Sequence, residues 1–229
     1  MALYTLGDLH LAFGADKPMD VFGGRWEGYT DKIRQSLSLL TENDTLVIPG
    51  DFSWALDLEG ATADFAFLES FPGRKILVKG NHDYWWNTAA KFTKFCQKNG
   101  FDNLYLLHNN CHFYGDLALC GTRGWFFEEE KDGEHDEKVF RRELIRLEAS
   151  LKAAGESRKI CFLHYPPRYR GYCCPEILEL LRIYGVQACY YGHLHGDSHK
   201  LAIEGVCEGT NFRLVASDYV NFKMVQIAE

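Results

Sequence analysis

The sequence predicts an α/β fold in which two mixed sheets pack together with helices outside. Three observations lead there. Short apolar runs, β-branched or aromatic, end abruptly in polar blocks. Helical periodicities lie between those runs. The C-terminal stretch instead alternates with period two. A buried strand followed by a polar loop is the α/β arrangement, which places chemistry outside the carboxyl ends of the strands.

In chain order, residues 2–6 form the first strand and end at Gly7-Asp8. Helical spacing follows at Ile33, Leu37 and Leu40, with Thr30 placed to cap it. Residues 44–49 read as the second strand, and a helix over 58–71 stops at Pro72-Gly73. Residues 74–79 make the third strand, and the next helix begins near Asn87 and closes at Gly100. Strand-like pieces fill 104–107, 111–114 and 117–121. The longest helix spans 136–154, with Phe140, Leu144, Leu147 and Leu151 on one face and Gly155 behind. Residues 158–163 and 186–191 are two further strands, separated by a short helix that follows Pro175 and stops at Gly185. Phe212, Leu214 and Ala216, then Phe222, Met224 and Gln226, alternate around a turn near 218–221, which predicts a terminal antiparallel portion.

No repeat, low-complexity tract or linker divides the 229 residues, 46% of them apolar, so 1–229 reads as a single domain. No apolar run reaches the roughly 18 residues of a membrane span. The N-terminus has no positive region and meets Gly7-Asp8 too soon for a signal peptide. Eight cysteines include no C-x-x-C pair, which suits reduced thiols and a cytoplasmic location. Of the net charge of −7, five units lie between Glu128 and Lys138, where seven acids meet two lysines. That balance argues against a protein built to grip long nucleic acid, whose footprint would be basic.

Five polar blocks follow five of the strands: Asp8-Leu9-His10, Gly50-Asp51, Gly80-Asn81-His82-Asp83, His164, and Gly192-His193-Leu194-His195. A D-x-H triplet is expected by chance roughly 0.6 times in this composition, so Asp8 and His10 alone carry nothing. Gly-His-x-His is expected roughly 0.03 times and Gly-Asn-His-Asp roughly 0.002 times, so the ordered set is not accidental. Together the blocks supply the oxygen and nitrogen ligands that two adjacent divalent metals need. Paired metals make a hydroxide from water at neutral pH and clamp a phosphoryl group, so the ligand set predicts a dinuclear phosphoester hydrolase.

The set resembles the calcineurin-like metallophosphoesterase superfamily, whose pattern is D-x-H, G-D, G-N-H-[DE], H and G-H-x-H, over residues 8 to 195. That resemblance implies a four-layer α/β/β/α sandwich. It assigns Asp8, His10 and His195 to one metal, Asn81, His164 and His193 to the other, and Asp51 to the bridge between them. It makes His82 the proton donor to the leaving oxygen, with Asp83 orienting its ring. Two divalent cations, two aspartates and a bridging hydroxide leave about one net positive charge, which favours a phosphoester and its transition state. Oxygen and nitrogen ligands without thiolate suit Mn, Fe, Zn or Ni.

Departures narrow the resemblance. Phe52-Ser53-Trp54 and Lys79 stand where protein Ser/Thr phosphatases carry arginines, and Trp54 stands where purple acid phosphatases place a tyrosine ligand. The compact bacterial-type phosphatases and phosphodiesterases are the nearer relatives. The expected substrate is a small phosphomonoester or phosphodiester, with Arg123, Arg168 and Arg170 as candidate phosphate-binding residues. Trp54, Trp85, Trp86, Trp125, Phe126 and Tyr165 flank the blocks as candidates for stacking or packing. A nuclease of the same superfamily and a scaffold that has lost catalysis stand as alternatives. Neither a membrane nor a protein partner is read from the sequence.

Overall fold

Runs of β-branched and aromatic residues too short for helices become strands, and the amphipathic stretches between them become the helices that cover those strands. The computed structural model describes residues 1–17, 19–125 and 133–229, with side chains of the longest helix from Glu137 onward. The first half of the chain comprises β1 (Leu3–Thr5), α1 (Tyr29–Leu37), β2 (Thr45–Pro49), α2 (Thr62–Glu69), β3 (Arg74–Val78), α3 (Ala89–Asn99) and β4 (Leu104–Leu106). Then come β5 (His112–Tyr114), β6 (Leu117–Thr122), α4 (Gly133–Ala153), β7 (Arg158–Leu163), β8 (Arg168–Tyr169) and β9 (Tyr172–Cys173). The chain closes with α5 (Pro175–Ile183), β10 (Val186–Tyr191), β11 (Gly205–Cys207), β12 (Thr210–Leu214) and β13 (Val225–Ala228).

Two sheets result, ordered β13-β1-β2-β3-β4 and β11-β12-β10-β7-β6-β5. Each has a parallel centre: β1–β4 in the first, and β6, β7, β10 and β12 in the second. Antiparallel partners are added outside these, β13 on the first sheet and β5 and β11 on the second. β2, β3, β6 and β7 are buried on both faces, which explains their largely apolar runs, whereas β10 and β12 keep exposed residues on one side.

Three cores stack accordingly. Leu3, Val47, Ile76 and Val78 of the first sheet meet Leu119, Ile160 and Phe162 of the second. Outside the first sheet, Ile33 and Leu37 of α1, Phe65 and Leu68 of α2, and Phe92 and Phe95 of α3 form a second core. Outside the second sheet, Leu147 and Leu151 of α4 and Ile177 and Leu181 of α5 form a third. The architecture is the expected four-layer α/β/β/α sandwich.

Three local expectations are corrected. Gly28, with φ of 60°, caps α1, and Thr30 lies inside its first turn. The second helix starts at Thr62, because Asp57 first holds a turn by accepting from the Gly60 N–H at 2.8 Å. The C-terminal alternating runs do not pair with each other. A turn does form at Ala216–Phe222, but β12 joins the second sheet beside β10 and β13 joins the first beside β1. The turn therefore carries the chain between sheets.

Candidate metal centre

All five polar blocks lie at the carboxyl ends of strands, namely β1, β2 and β3 in one sheet and β7 and β10 in the other. Just beyond those ends the sheets are stitched together. The Gly7 N–H donates to the Val215 carbonyl at 2.8 Å, and the Ser217 N–H donates to the Gly7 carbonyl at 3.1 Å. This seam brings ligands from both sheets to one place.

The backbone is bent to do so. Asp8, His10, Asp51 and His193 have φ of 57°, 46°, 51° and 71°, the left-handed region that costs a non-glycine residue roughly 1 kcal/mol. Such strain persists where the surroundings fix it, and it clusters at functional sites. The motif glycines make room for the ligands. A methyl group on Gly80 would overlap Asp51 Oδ1, and one on Gly192 would overlap Asp8 Oδ2.

Two donor groups form around one shared carboxylate. In the first, His195 Nε2 lies 3.2 Å from Asp8 Oδ1 and 3.4 Å from His10 Nε2. In the second, Asn81 Oδ1 lies 2.6 Å from His164 Nε2 and 3.1 Å from His193 Nδ1. Asp51 Oδ2 stands between them, 3.7 Å from His10 Nε2 and 3.5 Å from His164 Nε2. Donors about 2.1 Å from one metal are roughly 3.0–3.4 Å apart in octahedral or tetrahedral arrangements. The first group and the His193–Asn81 pair have that spacing, and His164 Nε2 and Asn81 Oδ1 would spread from 2.6 Å to share a cation.

Unsatisfied polar atoms argue the same way. Asp8 Oδ2 is buried with no protein partner. His164 faces an acceptor at each ring nitrogen, the Pro49 carbonyl 3.2 Å from Nδ1 and Asn81 Oδ1 at Nε2. Burial holds its pKa well below the usual histidine value, so the ring carries one proton and cannot serve both acceptors. Nδ1–H donates to Pro49, which leaves the Nε2 lone pair for a metal. Burial and the neighbouring imidazoles also keep His10 well below its usual value and push His193 down to about 3, so both are neutral as ligands must be. Burial with Asp83 and Asp8 nearby pushes the Asp51 carboxyl up, a crowding that a cation relieves. The residues present fit two metals.

His195 is set differently. Burial opposes its charged form, but Asp8 and Asp218 outweigh that and raise its pKa to about 10. Its Nδ1 lies 2.8 Å from Asp218 Oδ1, and the other Asp218 oxygen accepts from the Gly196 N–H at 2.9 Å and stands 3.2 Å from His199 Nε2. The Asp218 carboxyl is held below the usual range by these partners despite its burial. A carboxylate behind a ligand histidine fixes its tautomer and aims Nε2 inward. The sequence reading missed Asp218, which arrives 23 residues after His195 on the seam turn.

With this geometry in view, comparison with known proteins decides the family. Residues 1–197 match the calcineurin-like phosphoesterases. The chain belongs to that family. No curated protein matches this phosphoesterase. Among solved structures it is similar to phosphopantetheinyl hydrolase from Mycobacterium tuberculosis, with 13% identity, 99% and 95% of the two chains covered, and a TM-score of 0.61. TT1561 of Thermus thermophilus aligns at 14% identity over 99% and 97% of the chains, with a TM-score of 0.56. AQ665 of Aquifex aeolicus, a protein of unknown function, aligns at 17% identity over 98% and 95%, with a TM-score of 0.51. At such identities the likeness is one of fold.

The other predicted residues of the phosphoesterase divide. His82 reaches the centre: its N–H donates to Asp51 Oδ1 at 2.8 Å, its ring centroid is 5.8 Å from that of His10, and burial lowers its pKa. Asp83 does not hold the His82 ring. Its oxygens accept from the backbone N–H groups of Gly80, Asp51, Phe52 and Ser53 and from Trp85 Nε1, while His82 Nδ1 is buried without a partner. Asp83 thus ties the second block to the third, and burial raises its pKa to about 6 against those bonds.

Arg123 lies 3.7 Å from Glu143, and its carbonyl accepts from the His164 N–H. Arg168 sits over the Phe212 ring at 6.0 Å and Arg170 is exposed in the β8–β9 turn, so neither is brought among the ligands. Trp85 is core, whereas Trp54 stacks on His10 at 4.9 Å and Tyr165 meets His193 edge-on at 4.6 Å. Phe126 and the acidic 128–132 stretch lie outside the described residues.

Proposed function

We propose that this phosphoesterase hydrolyses a small phosphomonoester or phosphodiester at a dinuclear centre, with His82 giving a proton to the leaving oxygen. The observation that carries this is Asp51 Oδ2 standing between two donor groups of mixed oxygen and nitrogen. When bound, two divalent ions lower the pKa of water toward neutrality and offset phosphoryl charge. Asp8, His10 and His195 would hold one, Asn81, His164 and His193 the other, with Asp51 common to both. Mn, Fe, Zn or Ni all suit these donors. His82 stands beside Asp51, its backbone N–H donating to Asp51 Oδ1. It would act as the imidazolium, taking up a proton when the phosphoester binds and passing it to the leaving oxygen, and such donors contribute about 10²- to 10⁴-fold.

The test separates the roles. Protein saturated with Mn²⁺ is expected to hold two equivalents per chain by elemental analysis and to hydrolyse model phosphoesters. His82→Ala is expected to keep both equivalents and lose about 100-fold or more in turnover on a poor leaving group. Asn81→Ala is expected to lose metal. A single equivalent in the saturated protein ends the dinuclear assignment, and wild-type turnover in His82→Ala ends the proton-donor role.

A further inference from the structure

A cleft of about 350 Å³ opens beside the centre. His10, His82 and His195 form its floor, and its walls are Met19, Phe22, Trp26 and Trp54. We infer that this apolar cleft is the leaving-group subsite, and that it selects phosphoesters of an alcohol bearing an aromatic ring. The inference rests on the hydrolytic reading above and names the substrate class for the same site.

The walls are built rather than incidental. Trp54 lies over His10 at 4.9 Å with an interplanar angle of 24° and stands 4.4 Å from His82. Its indole N–H is directed to Met19 Sδ at 3.1 Å, so its one polar atom is tied to the wall. Trp26 is buried and packs edge-on against both His10 and His195 at 5.7 Å, backed by Phe222 at 5.2 Å. Both indoles are therefore fixed before any ligand arrives, which keeps the entropy cost of binding low. Phe22 differs: it is 64% exposed, has no core to serve, and borders the same cleft. An apolar surface beside a charged centre is poorly hydrated, and an aromatic occupant covers it with offset or edge contacts.

His82 fixes which part of the substrate goes there. Hydrolysis breaks the P–O bond to the alcohol and forms one from phosphorus to the oxygen of water. The water's proton leaves with the phosphate or to solvent, the alcohol oxygen takes its proton from His82, and His82 is reprotonated from solvent. A cleft lined by His82 therefore puts the departing alcohol within reach of its proton donor. Lys17 Nζ stands 5.1 Å from the Trp54 ring centroid.

Benzyl phosphate and methyl phosphate test this, because both release alkoxides of similar basicity and differ in the ring. With Mn²⁺-loaded protein, kcat/KM is expected to favour the benzyl ester by at least about tenfold. Phe22→Ala and Trp54→Leu are each expected to lower that ratio about five- to tenfold. Phe22, being exposed, can be shortened without disturbing the core. A ratio near one in the wild type, or one unchanged in Phe22→Ala, overturns the subsite. Calorimetry with benzylphosphonate and methylphosphonate, and quenching of tryptophan fluorescence, read binding without turnover. If neither ester is hydrolysed but benzylphosphonate binds at least about tenfold tighter, the subsite stands and the hydrolytic reading falls. Equal affinities sink the subsite whatever the activity.

Discussion

Asp218 shows how much of this centre depends on a residue that binds no metal. Its carboxylate spans His195, Gly196 and His199 and keeps His195 Nε2 turned toward Asp8 and His10. Asp218→Asn keeps the shape and removes the charge. Apparent metal affinity is expected to fall about 10- to 100-fold, read by calorimetric titration. In the metal-free variant the His195 imidazole should titrate below its present value of about 10, since one of the two carboxylates raising it is gone. Unchanged affinity and an unchanged His195 titration would mean that Asp218 only packs. At this scale the sequence was readable wherever ligand chemistry is local: Gly-Asn-His-Asp and Gly-His-x-His announce themselves within four residues. Asp218 gives no such sign, because its partner is brought to it by the crossing between sheets. Asp83 was visible as a motif residue but not in its role, since nothing in the order of residues shows that five donors already occupy its oxygens.

Among the elements, β3 carries a conflict. It delivers the Gly80-Asn81-His82-Asp83 block, yet Lys75 near its start is fully buried, with its Nζ donating to the Phe71 carbonyl. Burial lowers the Lys75 pKa from 10.5 to about 8. For a base the sign is clear. Between about pH 8 and 10.5 the unfolded chain holds a proton that the folded chain lacks, so stability rises with pH through that window. Below about pH 8 both states are protonated and the cost of the buried charge is complete, on the order of 3 kcal/mol. Lys75→Met removes it. Urea unfolding at pH 7.5 and pH 10 should show the variant gaining on the wild type at the lower pH and losing most of that advantage at the higher; an equal difference at both would mean Lys75 is not strained by burial. The strand itself was legible, since Ile76, Leu77 and Val78 follow Lys75 without interruption, as Leu46, Val47 and Ile48 do in β2. The C-terminal runs were legible as strands but not in their partners. Period-two alternation records that a face is buried and not which sheet buries it, so β12 and β13 read as neighbours when they lie in different sheets.

For the molecule as a whole, charge and shape bear on what can approach the centre. The net charge of −7 opposes a long polyanion at every point except where a cationic surface gathers, and a protein that tracks DNA commits several lysines and arginines to phosphates. Of the three arginines named as phosphate binders, Arg123 lies beside the centre, its carbonyl accepting from the His164 N–H and its guanidinium 3.7 Å from Glu143, while Arg168 covers Phe212 and Arg170 lies in an exposed turn. The cleft at the centre has tryptophan, phenylalanine and methionine walls, with a single lysine over Trp54. Such walls hold one ring-sized group and offer nothing that repeats along a backbone. Efficient turnover is therefore expected for small esters such as p-nitrophenyl phosphate or bis-p-nitrophenyl phosphate, and negligible turnover for single- or double-stranded DNA. The comparison belongs at low salt, where counterion release most favours a polymer and the nuclease alternative has its best chance. Processive degradation of DNA under those conditions, with a steep loss of rate as salt rises, would reveal a cationic track and replace the small-ester reading with a nuclease.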